Sequence, residues 1–214
     1  MKKPKTVICL DVTGGEFHLE DLDGFLRLGA DGFEVGTTLL HAEGMGIITS
    51  LRQKLGETAC IGVDLKTQDG CFFHLKRAKE YGGNYGTVCV ANNKAAFITA
   101  RQAQQELAVG IVADLYSVST DEITGTAIKA MEHGFGEIRL NYGHDAFTFS
   151  DGALNECAGC EELIKAVGRE RVSVACYSCA GALKATAYGV SKIVLCEPLI
   201  RTEQLKTVLQ ELKR

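Results

Sequence analysis

The chain has 214 residues, 46% of them apolar and 23% charged. That balance excludes a disordered chain, and at roughly 150 residues per domain it allows one barrel over residues 1–214. Lys and Arg total 23 against 27 Asp and Glu, and the net charge of −4 argues against a uniformly basic nucleic-acid binder.

The chain starts Met1-Lys2-Lys3-Pro4-Lys5, and the apolar run after it ends at Asp11. That run is too short for an export signal, and no stretch reaches the ~18 apolar residues of a membrane helix. A cytoplasmic protein without membrane or nucleic-acid partners is expected. Nine cysteines, an odd number, fit a reducing compartment.

Short β-branched runs alternate with amphipathic stretches along the chain. The strands predicted, in order, are Thr6–Asp11, Gly32–Gly36, Cys60–Leu65, Gly86–Val90, Val109–Leu115, Glu137–Asn141, Val172–Cys176 and Lys192–Cys196. Between them, Leu19, Leu22, Phe25 and Leu26 share one helical face, as do Ile47, Ile48, Leu51 and Leu55, and Ala127, Ala130 and Met131. Glycine-bearing turns at Gly29, Gly82, Gly134 and Gly189 stop helices before the next strand. Eight such units imply parallel strands joined by crossover helices, and fit an α/β fold, a compact (β/α)8 TIM barrel. An open doubly wound sheet is the alternative. The first turn, Asp11-Val12-Thr13-Gly14-Gly15, lacks the dinucleotide-binding glycine pattern.

Sites in such barrels lie at the C-terminal ends of the strands. The polar residues there are Asp11, Glu34, Asp64 with Lys66 and Asp69, Asp114, and Asn141 with His144 and Asp145. So many carboxylates at one end require cations or hydrogen bonds. In a regular strand residues 64 and 66 point the same way, which brings Asp64 and Lys66 into the mouth together. A lysine among acids stays charged and stabilises developing negative charge or delivers a proton.

These residues resemble the orotidine 5′-monophosphate decarboxylase suprafamily, most closely 3-hexulose-6-phosphate synthase and next 3-keto-L-gulonate-6-phosphate decarboxylase. The resemblance rests on Leu10-Asp11, Phe33-Glu34-Val35-Gly36-Thr37, Asp64-Leu65-Lys66-Thr67-Gln68-Asp69 and Ala113-Asp114-Leu115, with Gly143 and Asp145 near strand six. It implies a homodimer of barrels with shared sites, into which Asp69 reaches from the partner. It also implies Mg²⁺ held by Glu34 and Asp64, and a 1,2-enediolate stabilised by Lys66. Asp11, Asp114 and His144 are the further catalytic candidates. The chemistry implied is that of a lyase: aldol addition or cleavage of formaldehyde, or decarboxylation.

The phosphate-binding half departs from the family. Strand seven usually ends in Ala-Gly-Gly, but reads Ala175-Cys176-Tyr177-Ser178-Cys179-Ala180-Gly181; strand eight reads Cys196-Glu197-Pro198 in place of a glycine. Asn141 stands where the family has a histidine. Substrate-binding candidates are Asn141, Asp145, Ser178, Gly181 and Glu197. A carboxylate at position 197 facing a phosphate would be unfavourable, so an altered or unphosphorylated sugar-like substrate is expected; if Glu197 points away, Ser178 and the amides around Ala180 could still hold a phosphate. Cys157, Cys160, Cys176 and Cys179 form a C-x2-C-x15-C-x2-C spacing that matches thiolate zinc sites, which makes a bound zinc or iron–sulfur group a second expectation. A non-catalytic ligand-binding barrel is the competing functional class.

Overall fold

Every predicted strand forms, within one or two residues at its ends. The structure, a computed structural model, describes residues 3–12, 16–90, 94–150 and 155–213. Thr13, Gly14 and Gly15 of the first predicted turn lie outside these. The strands are β1 (Lys5–Leu10), β2 (Gly32–Val35), β3 (Ile61–Thr67), β4 (Tyr85–Cys89), β5 (Gly110–Asp114), β6 (Glu137–Leu140), β7 (Val172–Cys176) and β8 (Lys192–Leu195). The helices are α1 (Asp21–Leu28), α2 (Thr37–Glu43), α3 (Gly46–Leu55), α4 (Cys71–Glu80), α5 (Lys94–Leu107), α6 (Ile123–Glu132), α7 (His144–Phe149), α8 (Cys160–Val167), α9 (Cys179–Tyr188) and α10 (Gln204–Glu211).

The strands pair in chain order, all parallel, and β1 closes on β8 with Lys5 opposite Lys192. The fold is a (β/α)8 barrel. The open-sheet alternative fails at that closure.

Strand side chains alternate between two apolar layers. Outward residues such as Ile8, Leu10, Phe33, Val63, Ile138 and Val174 pack under the helices in the larger cluster. The inward parity carries a smaller one: Val7 and Cys9 of β1, Ala175 and Tyr177 from β7, Val194 and Cys196 from β8. The helical faces hold where they meet the strands, with Leu22, Ile48, Leu51, Ala127 and Ala130 buried. Leu26 is 44% exposed, because α1 presents only part of its predicted face to the barrel. Gly29 ends α1 at φ 103° and returns its N–H to Phe25 and Leu26, a left-handed conformation that favours glycine.

Inside the barrel, Gly62 faces Tyr85 in register. A Cβ at Gly62 would run into the Tyr85 ring. Gly62→Ala is expected to cost about 1–3 kcal/mol of folding stability, read by urea unfolding. Among the described residues no helix is long and apolar enough to cross a membrane.

Candidate active site

At the C-terminal end of the barrel a cavity of about 220 Å³ is lined by Cys9, Asp11, Thr37, Thr38, Asp64, Lys66, Tyr116, Gly143, His144, Asp145, Tyr177, Cys196 and Glu197. Six of the predicted site residues meet there: Asp11, Asp64, Lys66, His144, Asp145 and Glu197.

Lys66 does not reach the cavity by plain strand alternation. The β3–β4 register shifts between Val63 and Thr67, and Lys66 has φ 42°, a left-handed conformation that costs a β-carbon-bearing residue about 1–2 kcal/mol. Thr87 Oγ1 accepts the Lys66 backbone N–H at 2.9 Å and anchors the bulge. The same hydroxyl donates to Asp64 Oδ1 at 2.8 Å. The Lys66 ammonium pairs with Asp64 Oδ2 and donates to Thr37 Oγ1 at 3.2 Å. Thr37 Oγ1 itself lies 2.8 Å from the Asp64 carbonyl oxygen. Burial opposes the Lys66 charge, but Asp64 and Asp114 outweigh it and hold its pKa above the ordinary lysine value. For Asp64, burial is likewise outweighed, by Lys66 and then Arg139, so its carboxyl stays below the usual range.

Asp114 lies beneath this pair, fully buried. Its oxygens accept from the Tyr116 N–H at 2.9 Å and from Asn141 Nδ2 at 3.0 Å. Asn141 Oδ1 in turn accepts from the Gly143 N–H and the Tyr177 hydroxyl, each at 3.0 Å. Asp114 and Asn141 thus support the mouth without lining it. Burial first and the Asp64 charge second push Asp114 up to about 6, against Lys66, Arg139 and Asn141. With its folded pKa above the unfolded value near 4, this group's stabilisation is present in full below about pH 4 and is lost as the pH rises to about 6. Asp114→Asn is therefore expected to gain stability relative to the wild type across that interval, on the order of 2 kcal/mol. Urea unfolding at several pH values checks this; a pH-independent difference would contradict it.

Asp11 Oδ1 accepts from the Val12 N–H and, at the first turn of α2, from the Leu39 N–H at 3.2 Å. Burial raises its pKa, and these bonds partly offset the rise. His144 opens α7, half-exposed, with Nδ1 3.5 Å from an exposed Asp145 carboxylate and its ring 6.5 Å from that of Tyr177, the two planes at 69°. Asp69 is exposed and stands outside the cavity lining of its own chain.

Two metal expectations find no preformed donor set. The Mg²⁺ implied by the resemblance does not fit the donors as they stand. Glu34 does not face the cavity with Asp64. Both its oxygens take the guanidinium of Arg139 on β6, at 2.7 and 2.8 Å, and both side chains are almost wholly buried. Asp64 is spent on Lys66, Thr37 and Thr87. Among the described residues no three His, Cys, Asp or Glu side chains gather as an ion site. The same holds for Cys157, Cys160, Cys176 and Cys179, which do not gather as an ion site either. Apolar burial raises three of these thiols, Cys157 to about 11, Cys160 to about 12 and Cys176 further, disfavouring the thiolates that a metal needs.

Around β7 the structure shows a residue that the sequence reading missed. The carboxylate of Glu156, 3% exposed, accepts from the Tyr177 N–H and the Ser178 hydroxyl at the start of α9. Ser178 Oγ accepts from the Gly181 N–H as the helix cap, and a Cβ on Gly181 would strike Glu156. Ser178 and Gly181 are thus engaged behind the cavity wall. Glu197 does line the cavity, and Arg201 pairs with it while donating to the Asp11 carbonyl at 3.1 Å. Only spatial contact across about twenty residues connects Glu156 to Tyr177, so no local pattern could have marked it.

No family model matches the chain. It is 26% identical over 142 residues to the 3-hexulose-6-phosphate synthase of Mycobacterium gastri, covering 66% of this chain and 68% of that one. Among solved structures, a 3-hexulose-6-phosphate synthase superposes with a TM-score of 0.80 at 22% identity, covering 98% of each chain. The 3-keto-L-gulonate-6-phosphate decarboxylase of Vibrio cholerae superposes with a TM-score of 0.75 at 23% identity, over 99% of this chain and 97% of that one. The chain is thus similar in sequence to a 3-hexulose-6-phosphate synthase, and it shares its fold with solved structures of 3-hexulose-6-phosphate synthase, 3-keto-L-gulonate-6-phosphate decarboxylase and orotidine 5′-phosphate decarboxylase.

Proposed function

We propose that the barrel mouth is a lyase site for aldol-type cleavage and condensation of a small polyhydroxy ketone. The observation that carries this reading is the Lys66 ammonium, fixed by Asp64 and Thr37 at the wall of a cavity that His144 also lines. The ketone oxygen lies against Lys66. In cleavage, His144 takes the proton of the β-hydroxyl and the bond between the α and β carbons breaks. The β carbon leaves as an aldehyde, formaldehyde in the simplest case. The electron pair of the broken bond passes to the ketone oxygen as an enediolate beside Lys66, whose charge stabilises it. A proton from His144 to the α carbon completes the cycle, and condensation runs these steps in reverse. Loss of CO₂ from a β-keto acid ends in the same enediolate, so a decarboxylase would use the same lysine.

The substrate class follows from the β7 end. Barrels often bind phosphate at the loops after strands seven and eight, on helix N-terminal amides. Here Glu156 occupies the Tyr177 amide and the Ser178 hydroxyl, and Glu197 adds a second carboxylate beside the cavity. Glu156 thereby takes up donors that a phosphate would use, and a phosphate in the cavity would meet the Glu197 carboxylate; on this reading the substrate is unphosphorylated. The site is completed in a homodimer, with Asp69 entering from the partner, and the protein acts in the cytoplasm on sugar-like molecules.

The test supplies formaldehyde with ribulose or with ribulose 5-phosphate and follows formaldehyde consumption. The expected result is a higher kcat/KM with ribulose. Consumption with neither, or a preference for the phosphate, would contradict the proposal.

A further inference from the structure

We infer that Arg139 takes the place of a divalent cation at Glu34, neutralising that carboxylate from within the barrel so that the chain holds no metal ion through it. Glu34 on β2 and Arg139 on β6 stand on opposite sides of the barrel, and both point inward. The guanidinium meets both carboxylate oxygens as a fork, at 2.7 and 2.8 Å. That is the geometry for which arginine is suited and lysine is not. Arg139 also lies 3.7 Å from Glu137 Oε1, and the other Glu137 oxygen takes Lys192. Two cations and two carboxylates thus alternate through the barrel interior and cancel.

A divalent ion at Glu34 would have to displace a guanidinium that has no route to water, since Arg139 is 1% exposed. It would also sit next to that permanent positive charge. Asp64 offers no alternative, because hydroxyls and the Lys66 ammonium hold its two oxygens. With no ion at the mouth, Lys66 is the cation left to stabilise the enediolate. This consequence rests on the lyase reading; the ion-binding claim does not.

The test is a Mn²⁺ titration of metal-stripped protein, with the free ion followed by electron paramagnetic resonance, so no activity is needed. Wild-type protein is expected to show no stoichiometric site. Arg139→Met frees Glu34 and is expected to tighten Mn²⁺ binding by about 10–100-fold, a gain abolished by adding Glu34→Gln. One-to-one binding by the wild type, weakened by Glu34→Gln, would overturn the inference. So would a folded Arg139→Met variant that gains nothing. If that variant does not fold, the wild-type titration decides alone.

Discussion

Arg139→Met is expected to lower folding stability by about 3–5 kcal/mol, because it leaves the Glu34 carboxylate buried without its cation. Glu34 is 1% exposed, and each of its oxygens accepts from that guanidinium. Removing the carboxylate as well should restore most of the loss. In Glu34→Leu/Arg139→Met neither charge remains, and a packed apolar pair is often as stable as a buried ion pair. Urea unfolding of the two single variants and the double variant measures the coupling. Additive losses would show that the pair is not the unit described. Mn²⁺ should raise the thermal midpoint of Arg139→Met and leave that of the wild type unchanged, since an ion that binds only the folded state stabilises it.

Lys66→Ala is expected to lower turnover by about 10²–10³-fold, the usual cost of losing one preorganised group that stabilises an oxyanion. Lys66→Gly should be equally inactive yet more stable than Lys66→Ala by about 1 kcal/mol, because glycine adopts the left-handed backbone at position 66 without strain. The comparison separates two roles of this residue. On the proposed reading the side chain serves the chemistry, and the φ of 42° serves to aim it. Equal stability of the two variants would mean that the bulge relaxes when the lysine is lost.

The barrel is legible because each strand is a short apolar run and the helices α1, α3 and α6 carry apolar faces at helical spacing. Those periods decide the fold locally. The mouth was legible in part, because Asp11, Asp64, Lys66, His144, Asp145 and Glu197 follow strands whose ends the sequence marks. Contacts across the barrel were not. Arg139 left a signal that went unread: in Glu137-Ile138-Arg139-Leu140-Asn141 the polar residues hold the inward parity and the apolar ones the outward parity. Which acid Arg139 would meet depends on β2 lying opposite β6, and only the closed barrel sets that. Glu34, a metal-ligand candidate by its place on β2, pairs with Arg139 in this structure. The cysteine spacing misled in a similar way. Two pairs at zinc-like intervals fell into apolar packing, where a thiol is more stable than the thiolate a metal requires. The bulge at Lys66 arises from a register shift against β4, and alternation along β3 alone carries no trace of it.

The most direct test of the central claim is solvent exchange at the α carbon of dihydroxyacetone in D₂O, followed by proton NMR on protein stripped of divalent ions. Wild-type protein is predicted to wash out the α-proton signal catalytically, and Lys66→Ala to do so about 10²-fold more slowly. Exchange that appears only when a divalent ion is restored, or that runs equally fast without the lysine, would contradict the account.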